Sequence, residues 1–174
     1  MPNWVNNFTK VSGDKKQIKE LFELFKDGVD FEKITPMPEE IHNTDCPVRY
    51  SELTDEEKER YAEIKKKYGV DNWYDWACDH WGTKWNVVPQ ETLVNSDYQT
   101  LDFNTAWATP FEFFLSLSLK FPKLEFEVKF ADEDIGYNCG IVIYKNGSYE
   151  ETYVPEEGTR EAKKFANEVW GWES

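Results

Sequence analysis

The strongest constraint on the fold lies at residues 124–130. Leu124, Phe126, Val128 and Phe130 alternate with Glu125, Glu127 and Lys129. Period two is the side-chain period of a strand with one face buried and one face in water. A second strand-like run follows over 137–144, then Asn146-Gly147, then a third run over 148–154 ending at Pro155. Asn-Gly supplies the two positive φ angles that a type I′ turn requires, so the last two runs form a tight hairpin. Three consecutive antiparallel strands are therefore expected, and their apolar face needs a cover.

The cover is written elsewhere in the chain. Residues 4–12 read as a first strand ending at Gly13. Asp14 is placed to cap a helix in which Ile18, Leu21, Phe22 and Phe25 share one face, with Gly28 as its stop. Residues 31–38 start as a short strand that Pro36 and Pro38 end or confine to an edge. Residues 39–53 show no clear period and read as a loop or insertion. Thr54 and Glu57 form a capping box for a helix carrying Tyr61, Ile64 and Tyr68 and ending at Gly69. Asn72 caps a short aromatic helix on which Trp73, Trp76, Ala77 and His80 share a face, Trp81 stands one step round, and Gly82 is the break. Two strand segments lie in 90–107, separated by Asn95-Ser96-Asp97. Thr109-Pro110-Phe111-Glu112 reads as a second capping box, opening a buried helix over 110–120 that Pro122 ends. Gly158-Thr159 opens a final helix striped with Ala162, Phe165, Ala166, Val169 and Trp170.

This order predicts an α+β fold: a mostly antiparallel sheet, helices packed on one face, and a ferredoxin-like split βαβ core. At 174 residues the chain reads as one domain, 1–174, with 39–86 as a loop plus helical insertion within it.

Composition narrows the function classes. The 8 Trp, 12 Phe and 9 Tyr are too many for a chain that stays unfolded. With 34 acids against 20 bases the net charge is −14, which disfavours direct binding of nucleic acid, because that relies on Lys and Arg at phosphates. Cys46, Cys78 and Cys139 form no CxxC pair, and His42 and His80 are far apart, so neither a disulfide framework nor a zinc knuckle is expected. Residues 1–30 lack the apolar core of a signal peptide, and no apolar run is long enough to span a bilayer. Reduced thiols in a cytoplasm follow. No nucleophile elbow or phosphate-cradling glycine loop occurs, and no cofactor is implied. A Cys139–His80 pair would require the fold to bring the two together.

Several words of the sequence resemble the YubB ferredoxin-like family. They are Met1-Pro2-Asn3-Trp4 with Asn7, Phe31 to Pro38, Trp76 with His80-Trp81-Gly82-Thr83-Lys84-Trp85-Asn86, and Phe103-Asn104-Thr105-Ala106-Trp107 with Pro110. Ser118, Pro122 and the strand up to Gly140 continue the likeness. Val5 stands where the family often has Cys, and Asp132-Glu133-Asp134 replaces a turn of different composition. The resemblance implies a ferredoxin-like fold and an accessory protein of a phage or plasmid in a bacterial cytoplasm. It supplies no catalytic residues.

Two surfaces are candidates for function. Five of the 8 tryptophans, Trp73, Trp76, Trp81, Trp85 and Trp107, cluster within 35 residues of chain. They pack as core, with a hydrogen bond from His80 and a cation–π contact from Lys84, or else they line a pocket made by His80, Trp81, Lys84, Trp85, Asn86 and Trp107. The charge is the second feature. Residues 39–59 hold eight acids against two bases, and 125–157 hold nine against two. An acidic face made of Glu125, Glu127, Asp132, Glu133, Asp134, Glu150 and Glu151 could imitate a phosphate backbone. It would then bind a basic nucleic-acid-binding host protein, such as a CRISPR effector, rather than nucleic acid or a membrane. The expectation is a non-enzymatic, anti-CRISPR-like inhibitor; the alternative is a small-ligand binder or unrecognised enzyme using the tryptophan pocket.

Overall fold

The computed structural model describes residues 2–172. Strand β1 (Trp4–Gly13) lies at the centre of a single sheet. It is followed by α1 (Lys15–Leu24), α2 (Glu39–His42), α3 (Asp55–Tyr68) and α4 (Trp73–Trp81). Then come β2 (Leu93–Asn95), β3 (Thr100–Ala106), α5 (Phe111–Lys120), β4 (Leu124–Asp132), β5 (Cys139–Lys145), β6 (Ser148–Tyr153) and α6 (Arg160–Trp170). The sheet order is β2-β3-β1-β4-β5-β6 and every pairing is antiparallel. Because β3 and β4 both run against β1, they are parallel to each other. Joined by α5, they form the expected βαβ unit split by β1. Asn146 (φ 46°) and Gly147 (φ 75°) make the tight β5–β6 turn.

Cross-strand partners share a face. On one face Val11, Leu101, Phe103, Leu124, Phe126, Val128, Val142 and Tyr144 meet Leu21, Phe22 and Phe25 of the first helical segment and Phe113, Phe114 and Leu117 of α5. Ile41, Ile64, Trp76 and Trp81 of the insertion join the same core. At its hub is Phe31, fully buried, 4.2 Å from the ring of Phe113 and 5.9 Å from those of Trp81 and Phe103.

The helices do not all lie on that face. Ala131 and Cys139, on the opposite pleat, pack against Ala162 and Ala166 of α6, with Phe165, Val169 and Trp170 around them. The expectation of helices on one face therefore fails for α6. Its apolar stripe needs a cover, and the small residues on that pleat let a helix approach.

Three local expectations are also corrected. Residues 31–38 form no strand: Phe31–Lys33 is a 3₁₀ turn capped by Asp30, which accepts from the Glu32 N–H. Burial of Phe31 outweighs its strand propensity. Within 39–53, read as a loop, Glu39–His42 is helical and Tyr50–Glu52 makes a 3₁₀ turn. The second capping box does not form, since Pro110 itself occupies the cap position and Thr109 is left outside the helix with its hydroxyl unpartnered. The first box does form, with both Thr54–Glu57 hydrogen bonds in place. Helix α1 stops at Leu24, ahead of Gly28. That glycine (φ 111°) lies against the backbone of Pro89, where no Cβ would fit.

Candidate aromatic cleft and acidic face

Helix α4 begins where Asn72 accepts from the Asp75 N–H and ends at Gly82 in the left-handed region. Its 3.6-residue period buries Trp76, Ala77 and Trp81 against the core. The Trp81 indole N–H donates to the Thr35 carbonyl at 2.9 Å, pinning the residues before α2. His80 stacks on Trp76 with ring centres 4.1 Å apart and is bonded through Nδ1 to the Trp76 carbonyl at 2.9 Å. It braces the helix and is not among the residues lining the two clefts beside Trp85. After Gly82, the Thr83 hydroxyl donates to the Ala106 carbonyl at 2.7 Å and ties the loop to the end of β3. Lys84 then sits 4.6 Å from the ring centres of both Trp85 and Trp107, a cation held by two indoles. Trp107 is half exposed and has a φ of 65°.

Asn86 ties the end of segment 39–86 to the 3₁₀ turn that precedes it. Its Oδ1 accepts from the Phe31 N–H at 2.9 Å, and its Nδ2 donates to Asp30 at 2.7 Å. Beside it opens a cleft of about 450 Å³ lined by Glu32, Met37, His42, Thr44, Trp73, Trp81, Trp85 and Asn86. Glu32 accepts from the Met37 N–H at 2.8 Å and lies 3.0 Å from His42 Nε2. The Thr44 hydroxyl donates to the Ile41 carbonyl at 2.6 Å and accepts from the Trp73 N–H at 2.9 Å. Trp85 and Asn86 also wall a second cleft of about 330 Å³ with Trp4, Val88, Glu91 and Asn104.

Of the six residues expected to form a pocket, Trp81, Trp85 and Asn86 line the larger cleft. His80, Lys84 and Trp107 do not, because His80 and the Lys84–Trp107 pair make their own contacts. Glu32, Met37, His42 and Thr44 were missed. They lie in or beside the Phe31–Pro38 words and the segment read as a loop, where no periodicity marks a direction for side chains.

The acidic residues fall into separate groups. Glu125 and Glu127 stand on the face away from the core, and the hairpin register places Glu150 opposite Ile143 on the same face. Glu151 pairs with Val142 and therefore points the other way. Lysines interrupt the group: Lys145 lies 3.5 Å from Glu125, and Lys10 of β1 stands opposite Glu127. Asp132 is seven residues along β4 from Glu125, about 23 Å at the rise of a strand. It is buried, accepting from Asn3 Nδ2 at 3.2 Å and the Asp134 N–H at 2.8 Å. Glu133 caps the Trp4 N–H at 3.0 Å. Cys139 and His80 are not brought together: the thiol lies beneath α6, 3.8 Å from the Ala162 carbonyl, while His80 is stacked on α4.

Residues 80–173, more than half of the chain, match the family model described as the ferredoxin-like domain in Api92-like protein. The chain belongs to the Api92-like family. The crystal structure of protein api92 from Yersinia pseudotuberculosis, of the same family, superposes with a TM-score of 0.50 over 90% of this chain and 100% of that one, at 10% identity. That likeness concerns the fold alone. No curated protein sequence matches the chain. The Api92-like segment starts at His80, so it contains Trp81, Trp85 and Asn86 but not the central strand β1. It also excludes Glu32, Met37, His42, Thr44 and Trp73, the other wall of the larger cleft. Among the described residues no helix is long and apolar enough to cross a membrane.

Proposed function

We propose that this protein works by binding, and that the cleft between Trp73, Trp81 and Trp85 is where it binds. The observation that carries this reading is the convergence of three indoles from α4 and the following loop on one open concavity. Apolar clefts with a few placed polar groups are the usual form of a ligand site. The YubB resemblance, finer than the family match, supports an accessory protein carried by a phage or plasmid and acting in a bacterial cytoplasm. A thermal-shift screen of metabolites tests the reading, because a ligand that binds only the folded state raises the melting temperature. Hits should lose their effect in Trp73→Ala. Hits that survive that substitution would place binding elsewhere and refute it.

One observation favours a second reading, in which the acidic face engages a basic nucleic-acid-handling host protein such as a CRISPR effector. Glu125, Glu127 and Glu150 share a pleat outside the α6 cluster. Charge reversal of these three should abolish capture of such a partner, whereas reversal of Glu151 should not. Equal effects of both sets would exclude a surface defined by that face.

A further inference from the structure

The groups that line the larger cleft select among ligands. Three tryptophans wall it, and the face of an indole carries the negative side of the ring quadrupole, which attracts cations. Among its lining residues there is no lysine or arginine, Glu32 is the one carboxylate, and the one basic side chain, His42, lies 3.0 Å from that carboxylate. The hydrogen-bonding groups are largely spent. The Thr44 hydroxyl is used by Trp73 and Ile41, the Asn86 carbonyl oxygen by Phe31, and both Glu32 oxygens already have a partner in Met37 or His42. A sugar or an amide would find few free donors and acceptors, and losing its water contacts unpaired would weaken its binding. An anion would meet the Glu32 carboxylate among three indoles. Trp85 already takes one cation of the chain on its ring, the Lys84 ammonium, which lies 4.6 Å from its centre and from that of Trp107.

We propose that the cleft binds a methylated ammonium group, a cation that offers charge and apolar surface but needs no hydrogen bonds. Trp73 and Trp85 are its walls, and Trp81, only 2% exposed, is its floor. Glu32 is the counter-charge. The inference rests on the cleft being the binding site and adds the class of ligand. Two sources carry the same group, a free quaternary amine and a methylated lysine side chain on another protein.

The test titrates the full chain, following tryptophan fluorescence, with five probes. They are choline, its uncharged isostere 3,3-dimethylbutanol, benzyl alcohol, and a short peptide bearing trimethyllysine beside its unmethylated form. Choline or the trimethyllysine peptide should bind saturably, about 10-fold or more tighter than its uncharged or unmethylated counterpart, the gain that a desolvated cation–π contact supplies. Glu32→Gln, which keeps an acceptor for the Met37 N–H, should weaken the cation several-fold and leave the uncharged isostere unchanged. Tighter binding of choline than of the trimethyllysine peptide assigns a free amine, and the reverse assigns a modified protein. Equal affinity for choline and dimethylbutanol, or binding of benzyl alcohol alone, would overturn the cation inference while leaving the cleft as the binding site. No binding by any probe, in a chain whose folding is verified by its melting transition, would overturn it as well and leave the binding reading to the wider metabolite screen.

Discussion

Phe31→Ala tests whether the insertion is part of the sheet's core or an appendage to it. Phe31 is fully buried and contacts rings from three elements: Phe113 of α5 at 4.2 Å, and Trp81 of α4 and Phe103 of β3 at 5.9 Å each. Each neighbour is anchored by its own element, so the cavity cannot close by a simple shift. Truncating a buried phenylalanine costs about 3–5 kcal/mol in such circumstances. For a chain of this size each kcal/mol lowers the melting temperature by roughly 2–4 °C, so a drop of about 10 °C is expected. Circular dichroism melts give the measurement, with Tyr98→Ala as the control because Tyr98 is 76% exposed and should shift little. Both variants should melt in one transition. A drop of less than about 3 °C would mean that the site repacks at little cost. Two transitions, only one of them moved by Phe31→Ala, would mean that the insertion folds on its own. Either result refutes the single shared core.

Two further substitutions probe polar groups that burial desolvates, Tyr144 fully and Asp102 in part. The Tyr144 hydroxyl is buried without a hydrogen-bond partner, and burial pushes its ionisation well above the usual tyrosine range. Tyr144→Phe should therefore stabilise the protein by about 1 kcal/mol in urea unfolding, and a destabilised variant would show that the hydroxyl is satisfied. Burial also raises the Asp102 carboxyl above its ordinary value of 3.8, although Asn6 Nδ2 donates to it at 2.8 Å. Between the ordinary and the folded value the folded state holds the proton that the unfolded state has released, so stability falls as pH rises through that window. Asp102→Asn should be more stable than the parent at pH 7 and lose that advantage below pH 3.8. An advantage that grows toward acid would contradict the burial argument.

Much of the fold was legible because it rests on local chemistry. The alternation at 124–130, the Asn146-Gly147 turn, the Thr54–Glu57 capping box, the Asn72 cap and the helix start at Gly158-Thr159 each depend on residues close in sequence, and each stands as expected. The Lys84 cation–π contact was legible for the same reason, since its first partner is the next residue. Phe31 was not, because its strand propensity competes with a core assembled from α4, α5 and β3, none of which adjoins it in sequence. Residues 39–53 were not, because their contacts with the cleft leave no period to read.

What the sequence by itself determined is therefore the set of elements, the antiparallel sheet and the aromatic stretch 73–107, all products of side-chain period and turn chemistry. The tertiary structure alone decided which charges and which tryptophans share a surface. One residue of hairpin register separates Glu150 from Glu151, and β4 carries Asp132 into a buried hydrogen-bonded corner far from Glu125. The path of residues 31–107 brings Glu32 and His42 to Trp73 and Trp85 while turning His80 and Trp107 aside. Such groupings depend on strand register and on contacts between residues tens of positions apart, and neither leaves a local trace in the chain.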